Sequence, residues 1–430
     1  MILLYRLLFL PLLLLALPRY LGRMFRRGGY MEMMRGRFGL GRDLGRPGEG
    51  LRRVWVHAVS VGELQAIMPI VESLCKRMDT QVVLTVTTST AYAIARQKLG
   101  ATCLDIRPFP IDFWPCSAAA WRRIRPDLCI LMEGELWPEH VHQARRRKIP
   151  LMLANARLSD RSWKRYKKWL PLARSLVFNK VSLILAGNRQ DAARFEKLGL
   201  KSVRYAGQLK CDMPLGPALD AAERAKLRNA LFPNLPDKAL VMLGSSTWAG
   251  EEAFLVGLLK EMRESGADLR LLLVPRHAER RDEVAKLLDE SGLSWHWRSR
   301  SKNVAEGTII HLADTTGELR LLTQAADFAL IGKSLPPHRE GQSPIEAAAL
   351  GVPSVMGPGM SNFRDVAAGL CEAEAAYQAA NAENAAELLK ALANDAALRA
   401  KTSARAVEWF ASQRGARDLT LKAMDELLER

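Results

Sequence analysis

From residue 50 onward, short β-branched or Leu-rich runs alternate with longer stretches of helical spacing. Strands are predicted at VWVHAVS (54–60), QVVLTVTT (81–88), DLCILM (127–132), PLMLAN (150–155) and VSLILAG (181–187). The periodicity lapses around DMPLGPALD and FPNLPD, which are rich in proline and lack strand alternation. A second series then runs through ALVMLGSS (239–246), LRLLLVP (269–275), TIIHLA (308–313), DFALI (327–331) and PSVMG (353–357). Strands separated by helices build βαβ units and parallel sheets covered on both faces. The pattern therefore predicts an α/β protein with two Rossmann-like, doubly wound lobes facing a central cleft. The first lobe spans 23–213, a linker 214–237 and the second lobe 238–430. No short-period repeat points to a solenoid.

The first residues follow another rule. ILLYRLLFLPLLLLALPRYL is apolar for roughly the 20 residues that a bilayer-spanning helix needs. Arg6, Pro11 and Pro18 interrupt it, and no small-x-small pattern marks a signal-peptide cleavage site. Arg19, Arg23, Arg26, Arg27, Arg35 and Arg37 follow, the excess that keeps a flank on the cytoplasmic side. Residues 1–22 are expected to form a membrane-anchoring helix with no part in either core. The body would then sit in the cytoplasm against the inner face of a membrane.

Composition narrows the class only partly. The chain has 430 residues, 48% of them hydrophobic and 25% charged, too much for one ordinary core. Its formal charge of +17 and pI near 9.8 draw it to something anionic: nucleic acid, a membrane surface or a phosphorylated substrate. No helix-turn-helix, RNA-recognition or zinc signature accompanies the charge, which argues against nucleic acid. Six cysteines without a C-x-x-C pair suggest neither a disulfide framework nor a zinc site, and a reduced, cytosolic compartment fits.

Ligands of doubly wound folds bind where strands end and helices begin. At the first such point, Ser60-Val61-Gly62-Glu63 sets a carboxylate in a first helical turn, either as a helix cap or, held ionised by the helix dipole, as a proton acceptor. LCILMEGELWPEH puts Glu133 and Glu135 directly after a strand among Met132, Leu136 and Trp137, where an idle charge is costly. SSTWAGEE offers Ser246 and Thr247 beside a helix start suited to phosphate. LVPRH adds Arg276 and His277, DTTGELRLL adds Gly317 at a turn, and SPIEAAALGVPSVMGP puts Glu346 early in a helix. RRRK (145–148) and RSWKRYKKW (161–169) set cations beside tryptophans, either a lipid-headgroup surface or a solvated helix face.

HAVSVGE, ELWP, ANARLS, GQLKCD, VPRH, DTTGEL and SPIEAA occur in an order and spacing that resemble the 3-deoxy-D-manno-octulosonic acid (Kdo) transferases of lipopolysaccharide inner-core synthesis. The resemblance covers nearly the whole chain. It implies an inverting GT-B glycosyltransferase anchored by its amino terminus on the cytoplasmic face of the inner membrane. It further implies CMP-Kdo as donor, a lipid A precursor (lipid IVA) as acceptor, and no metal or other cofactor. By motif, Glu63 would be the general base, Glu135 a second carboxylate, and Lys210 a group facing the reacting sugar or its phosphate. Ser246, Thr247, Arg276 and His277 would hold the CMP phosphate and nucleotide. The backbone at Gly317 and Leu319 would line the cytosine pocket, and Glu346 would bond the ribose hydroxyls.

Three places depart from the family pattern. Glu340-Gly341-Gln342-Ser343-Pro344 stands where many members carry Gly-Gly-His-Asn-Pro, Lys333 where many have a second glycine, and Trp248 where a His is common. These leave Glu63, Glu135, Lys210 and Glu346 untouched. Two alternatives stay open: a GT-B enzyme using another nucleotide sugar on a membrane lipid, and a non-enzymatic, membrane-attached lipid-binding scaffold. A dehydrogenase is disfavoured because no G-x-G-x-x-G follows the first strand of either lobe.

Overall fold

The computed structural model describes residues 1–27, 33–213 and 218–429. The chain forms two compact units, Met1–Pro214 with Gln413–Arg430, and Leu215–Ser412. In the first unit, β1 (Arg52–Ala58), β2 (Thr80–Val86), β3 (Asp105–Pro108), β4 (Leu128–Met132), β5 (Leu151–Ala156), β6 (Leu183–Ala186) and β7 (Val203–Tyr205) form one parallel sheet in the order 3-2-1-4-5-6-7. Strand residues alternate between two buried layers. Val54, Val56 and Ala58 of β1 pack with Leu128, Ile130 and Met132 of β4 on one face, while Trp55, Cys129 and Leu131 pack on the other. A strand buried on both faces reads as a near-continuous apolar run, and so these central strands are visible in the sequence.

In the second unit, β8 (Leu240–Thr247), β9 (Leu269–Pro275), β10 (Trp295–Trp297), β11 (Ile310–Leu312), β12 (Phe328–Ile331), β13 (Ser354–Met356) and β14 (Tyr377–Gln378) form a parallel sheet in the order 10-11-9-8-12-13-14. The sequence misses β3, β7, β10 and β14. β7, β10 and β14 are edge strands of two or three residues, and β3, also an edge, carries Asp105 and Arg107. An edge strand so short and mixed gives no apolar run to detect.

Three expected boundaries change. The expected linker 214–237 contains an eleven-residue helix, Ala221–Leu231, opened by an Asp220–Glu223 capping box and fastened through Arg224 and Arg228 to Asp327, each at 2.9 Å. Residues 413–430 belong to the first unit and not to the second. Their helix Ala416–Leu428 buries Ala416, Ala423, Met424 and Leu427 under the first sheet, and Arg77 pairs with Asp425 at 2.5 Å. Asp212 accepts from the amides of Gly415 (2.7 Å) and Arg417 (2.6 Å), at the start of that helix.

The third change concerns the amino terminus, a helix over Ile2–Arg27 containing Pro11 and Pro18. Among the described residues no helix is long and apolar enough to cross a membrane. Nor is the segment idle in the packing. Arg6 makes a two-pronged pair with Glu139 at 2.8 and 2.9 Å, Tyr5 donates to Asp112 at 2.6 Å, and Phe9 stacks on Phe113 at 6.0 Å. Glu139 is fully buried, so the Arg6 charge that breaks the apolar run is what neutralises it. Leu3, Leu4, Leu7, Leu8, Leu10, Leu14 and Leu15 stay exposed on the same helix.

Candidate active site

In a doubly wound sheet the ligand crevice opens at the carboxyl ends of the strands, where the strand order reverses. In the first unit that point lies between β1 and β4, and it is where Glu63, Glu133 and Glu135 emerge. β1 ends at Ala58, and the helix Val61–Cys75 starts after Ser60, whose hydroxyl accepts the Glu63 amide at 3.3 Å. The Glu63 carboxylate turns back to accept from the Val59 amide at 2.9 Å and the Ser60 hydroxyl at 3.2 Å. Glu63 is thus a helix cap, but not an ordinary one. Burial, with the neighbouring Glu133 charge, raises its pKa to about 8, against the opposing pull of the Val59 amide and Ser60 hydroxyl. The expectation that the helix dipole keeps Glu63 ionised without a raised pKa is corrected: desolvation and like charge outweigh the dipole.

Glu133 takes a left-handed backbone, φ +53°, that lets β4 turn sharply. Its amide donates to the Ala154 carbonyl at 3.0 Å and its carboxylate lies 3.6 Å from Arg157, so it is stitched to the end of β5. Glu135 is pushed upward by burial, with Glu133 adding to the effect, while accepting the Trp137 indole N–H at 2.6 Å. The ELWP motif therefore supplies both a carboxylate and its donor.

GQLKCD crosses the carboxyl edge of the same sheet. Buried Asn155, at φ +49°, accepts the Leu209 amide at 3.2 Å. Gly187 leaves the necessary room, since a Cβ there would meet Asn155 Oδ1 at 3.0 Å and Gln208 Nε2 at 3.2 Å. The segment packs on the helix that carries Glu63, which sets half-buried Lys210 on this edge. His57 of HAVSVGE goes elsewhere: it is buried, stacked 3.6 Å from Phe109, and held neutral with a pKa near 3 by burial. RSWKRYKKW is divided. Trp163 and Tyr166 pack towards the core, and of its three aromatics only Trp169 stays exposed, beside Lys168.

In the second unit the corresponding reversal lies between β8 and β12. Ser246 sits at φ +57° and begins a bulge against β9, and the Arg276 amide donates to the Thr247 carbonyl at 3.1 Å. The pairing brings Ser246, Thr247, Arg276 and His277 to one edge, with Arg276 exposed. Gly332, after β12, is in contact with this loop, for a Cβ there would strike the Ser246 carbonyl. Gly317, at φ +92°, precedes the helix Leu319–Thr323, which packs on the helix Ile345–Ala349. This brings Gly317 and Leu319 near Glu346, whose Oε2 is buried with no hydrogen-bond partner. Thr247 Oγ1 and Trp248 Nε1 are buried and unpartnered too. Buried polar atoms are normally paired, so these three fit a polar ligand such as a nucleotide.

Two features of this edge escape sequence reasoning. Glu251, 2% exposed, accepts four amides: Lys333 at 2.7 Å, Trp248 and Ser334 at 2.9 Å, and Leu335 at 3.1 Å. It locks the loops after β8 and β12 together. Its only signal in sequence is the first of two Glu residues after Gly250, which resembles an ordinary helix start. Secondly, the departures from the family pattern touch one another. Lys333, at φ +57°, holds its ammonium 4.1 Å from the centre of the Trp248 ring and 3.6 Å from Glu340. A left-handed position favours glycine, and here a cation–π contact and an ion pair accompany the lysine that replaces it. Among the described residues no three His, Cys, Asp or Glu side chains gather into a metal-binding group.

Two parallel-sheet α/β units, each with its candidate site loops at the strand-order reversal, give the chain a fold that resembles that of GT-B glycosyltransferases. The likeness extends to solved structures: a glycosyltransferase from Rickettsia africae superposes with a TM-score of 0.64 over 88% of this chain and 99% of that one, at 13% identity. A family model described as 3-deoxy-D-manno-octulosonic-acid transferase (kdotransferase) matches residues 32–213. A 3-deoxy-D-manno-octulosonic acid transferase of Bordetella pertussis is 34% identical over 384 residues, 87% of each chain. Another, of Haemophilus influenzae, is 30% identical over 429 residues, 98% of this chain and 95% of that one. The chain belongs to the 3-deoxy-D-manno-octulosonic acid (Kdo) transferase family.

Proposed function

We propose that this Kdo transferase moves Kdo from CMP-Kdo to a hydroxyl of a lipid A precursor (lipid IVA) in one inverting displacement. Glu63 takes the proton of the attacking hydroxyl. A pKa of about 8 suits that role, because a general base works best near the operating pH. Glu135 and Lys210 orient the acceptor side. Ser246, Thr247, Arg276 and His277 meet the departing phosphate, Gly317 and Leu319 border the base, and Glu346 takes the ribose hydroxyls. Preorganised donors of this kind stabilise charge that develops on the leaving group. The exposed leucines of the amino-terminal helix rest on the cytoplasmic face of the inner membrane, with the helix lying in the interface.

The observation that carries the reading is the meeting of Glu63, Glu133 and Glu135 at the β1/β4 reversal in a chain of this family. Mass spectrometry of the product from purified protein, CMP-Kdo and lipid IVA tests it. The expected result is a mass increase of one or more Kdo residues, absent with UDP-sugars. Transfer from a UDP-sugar instead would overturn the donor assignment.

A further inference from the structure

On the opposite edge of the first sheet, before β1 and β4, lies a pocket of about 590 Å³ lined by Arg46, Arg122, Arg125, Arg147, Asp127 and the buried Trp121. It is separate from the carboxyl edge that carries Glu63 and Glu135. A fifth guanidinium, that of buried Arg53, lies close by, fully engaged with Gln81 and the carbonyls of Gly45 and Ile124. The opposing charge is small. Asp127 accepts the Arg53 amide at 2.7 Å, and Asp43 pairs with Arg125 at 3.1 Å.

Two of the cations are also tied to neutral groups. Arg125 donates through Nε to the Arg122 carbonyl at 2.9 Å. Arg147 is bonded to Gln143, which donates to buried Glu139 at 2.6 Å, the partner of Arg6. Burial and the nearby charges of Arg146 and Arg122 depress the pKa of Arg147, outweighing the opposing Glu139 charge. Guanidinium forks match phosphate oxygens, and the Trp121 wall gives an apolar body something to lie against.

We propose that this pocket binds a phosphate monoester, as a second anion site distinct from the candidate active site. The shared chemistry is a dianionic phosphate on an apolar or sugar-like body, available from a soluble ester or from a lipid headgroup. Two probes separate the sources: glycerol 3-phosphate in isothermal titration, and phosphatidylcholine vesicles with or without phosphatidic acid in co-sedimentation. Both are applied to the full chain, to Arg46→Gln/Arg122→Gln, whose side chains are exposed and spare the packing, and to Arg276→Gln. The double variant should lose about tenfold or more in affinity for one probe, while Arg276→Gln binds like the wild type. Loss confined to glycerol 3-phosphate identifies a soluble ester, and loss confined to phosphatidic-acid vesicles identifies a headgroup. Binding of neither probe by the wild type, equal binding by the double variant, or loss only in Arg276→Gln would each overturn the proposal.

Discussion

Replacing Glu63 by Gln should make the protein more stable while making it a poorer catalyst. The carboxyl is carried from its ordinary 4.5 to about 8, first by burial and then by the charge of Glu133. A carboxyl whose pKa is raised on folding binds more protons folded than unfolded between those two values. Stability is therefore fully present below about 4.5, falls as pH rises, and has lost the whole contribution above about 8. At pH 7 the folded carboxyl is mostly protonated where the unfolded one is ionised, and that mismatch costs on the order of 3 kcal/mol. Glutamine carries no charge to desolvate, and its Oε1 can still accept from the Val59 amide or the Ser60 hydroxyl. It forfeits the helix-dipole attraction of a carboxylate, roughly 0.3–1 kcal/mol. The net expectation is a gain of about 1–3 kcal/mol near neutral pH that vanishes near about pH 4.5. Urea unfolding of both proteins at about pH 7.5 and about pH 5 measures it. A variant equal to or weaker than the wild type near pH 7.5 would show that Glu63 is an unstrained helix cap.

Glu251→Gln should destabilise the second unit by about 2–4 kcal/mol, because an amide nitrogen would face N–H donors that now share a carboxylate; thermal unfolding measures this, and an unchanged transition would remove Glu251 as the lock between the loops. Deleting residues 1–22 should destabilise the first unit as well as weaken membrane association, by about 3–5 kcal/mol, because Glu139 is left buried without Arg6. Arg6→Ala should reproduce most of that loss in a melting experiment, and a truncated protein with wild-type stability would count against it. Arg276→Ala should weaken CMP-Kdo binding by about 1.5–3 kcal/mol if its guanidinium meets the phosphate; calorimetry showing unaltered affinity would take Arg276 out of the site.

Much of the architecture is legible because β1, β4, β5, β8 and β9 are buried on both faces and are apolar over most of their length. Their carboxyl ends can then be located, and with them Glu63, Glu135, Ser246, Thr247 and Arg276. What stays hidden depends on tertiary context. Nothing local distinguishes Glu251 from a routine helix-start carboxylate until four amides from two loops converge on it. The raised pKa of Glu63 comes first from burial and then from Glu133, seventy residues away in the chain, so the first-turn position alone points to an ionised cap. Arg6 within an apolar run looks like an interruption of an anchor, and its purpose depends on buried Glu139. The return of residues 413–430 to the first unit is equally invisible, since an amphipathic helix does not state which core it covers.

Steady-state kinetics of Kdo transfer by wild-type protein and Glu63→Gln, with CMP-Kdo and lipid IVA each varied up to saturation and across a pH series, tests the central claim most directly. The wild-type kcat/KM should rise with pH to a plateau above about 8, as the base loses its proton. Glu63→Gln should lower kcat by roughly 10²–10⁴, with donor affinity unchanged and the rise with pH abolished. A variant that keeps more than about a tenth of the wild-type kcat, well short of the loss of a general base, would contradict the account.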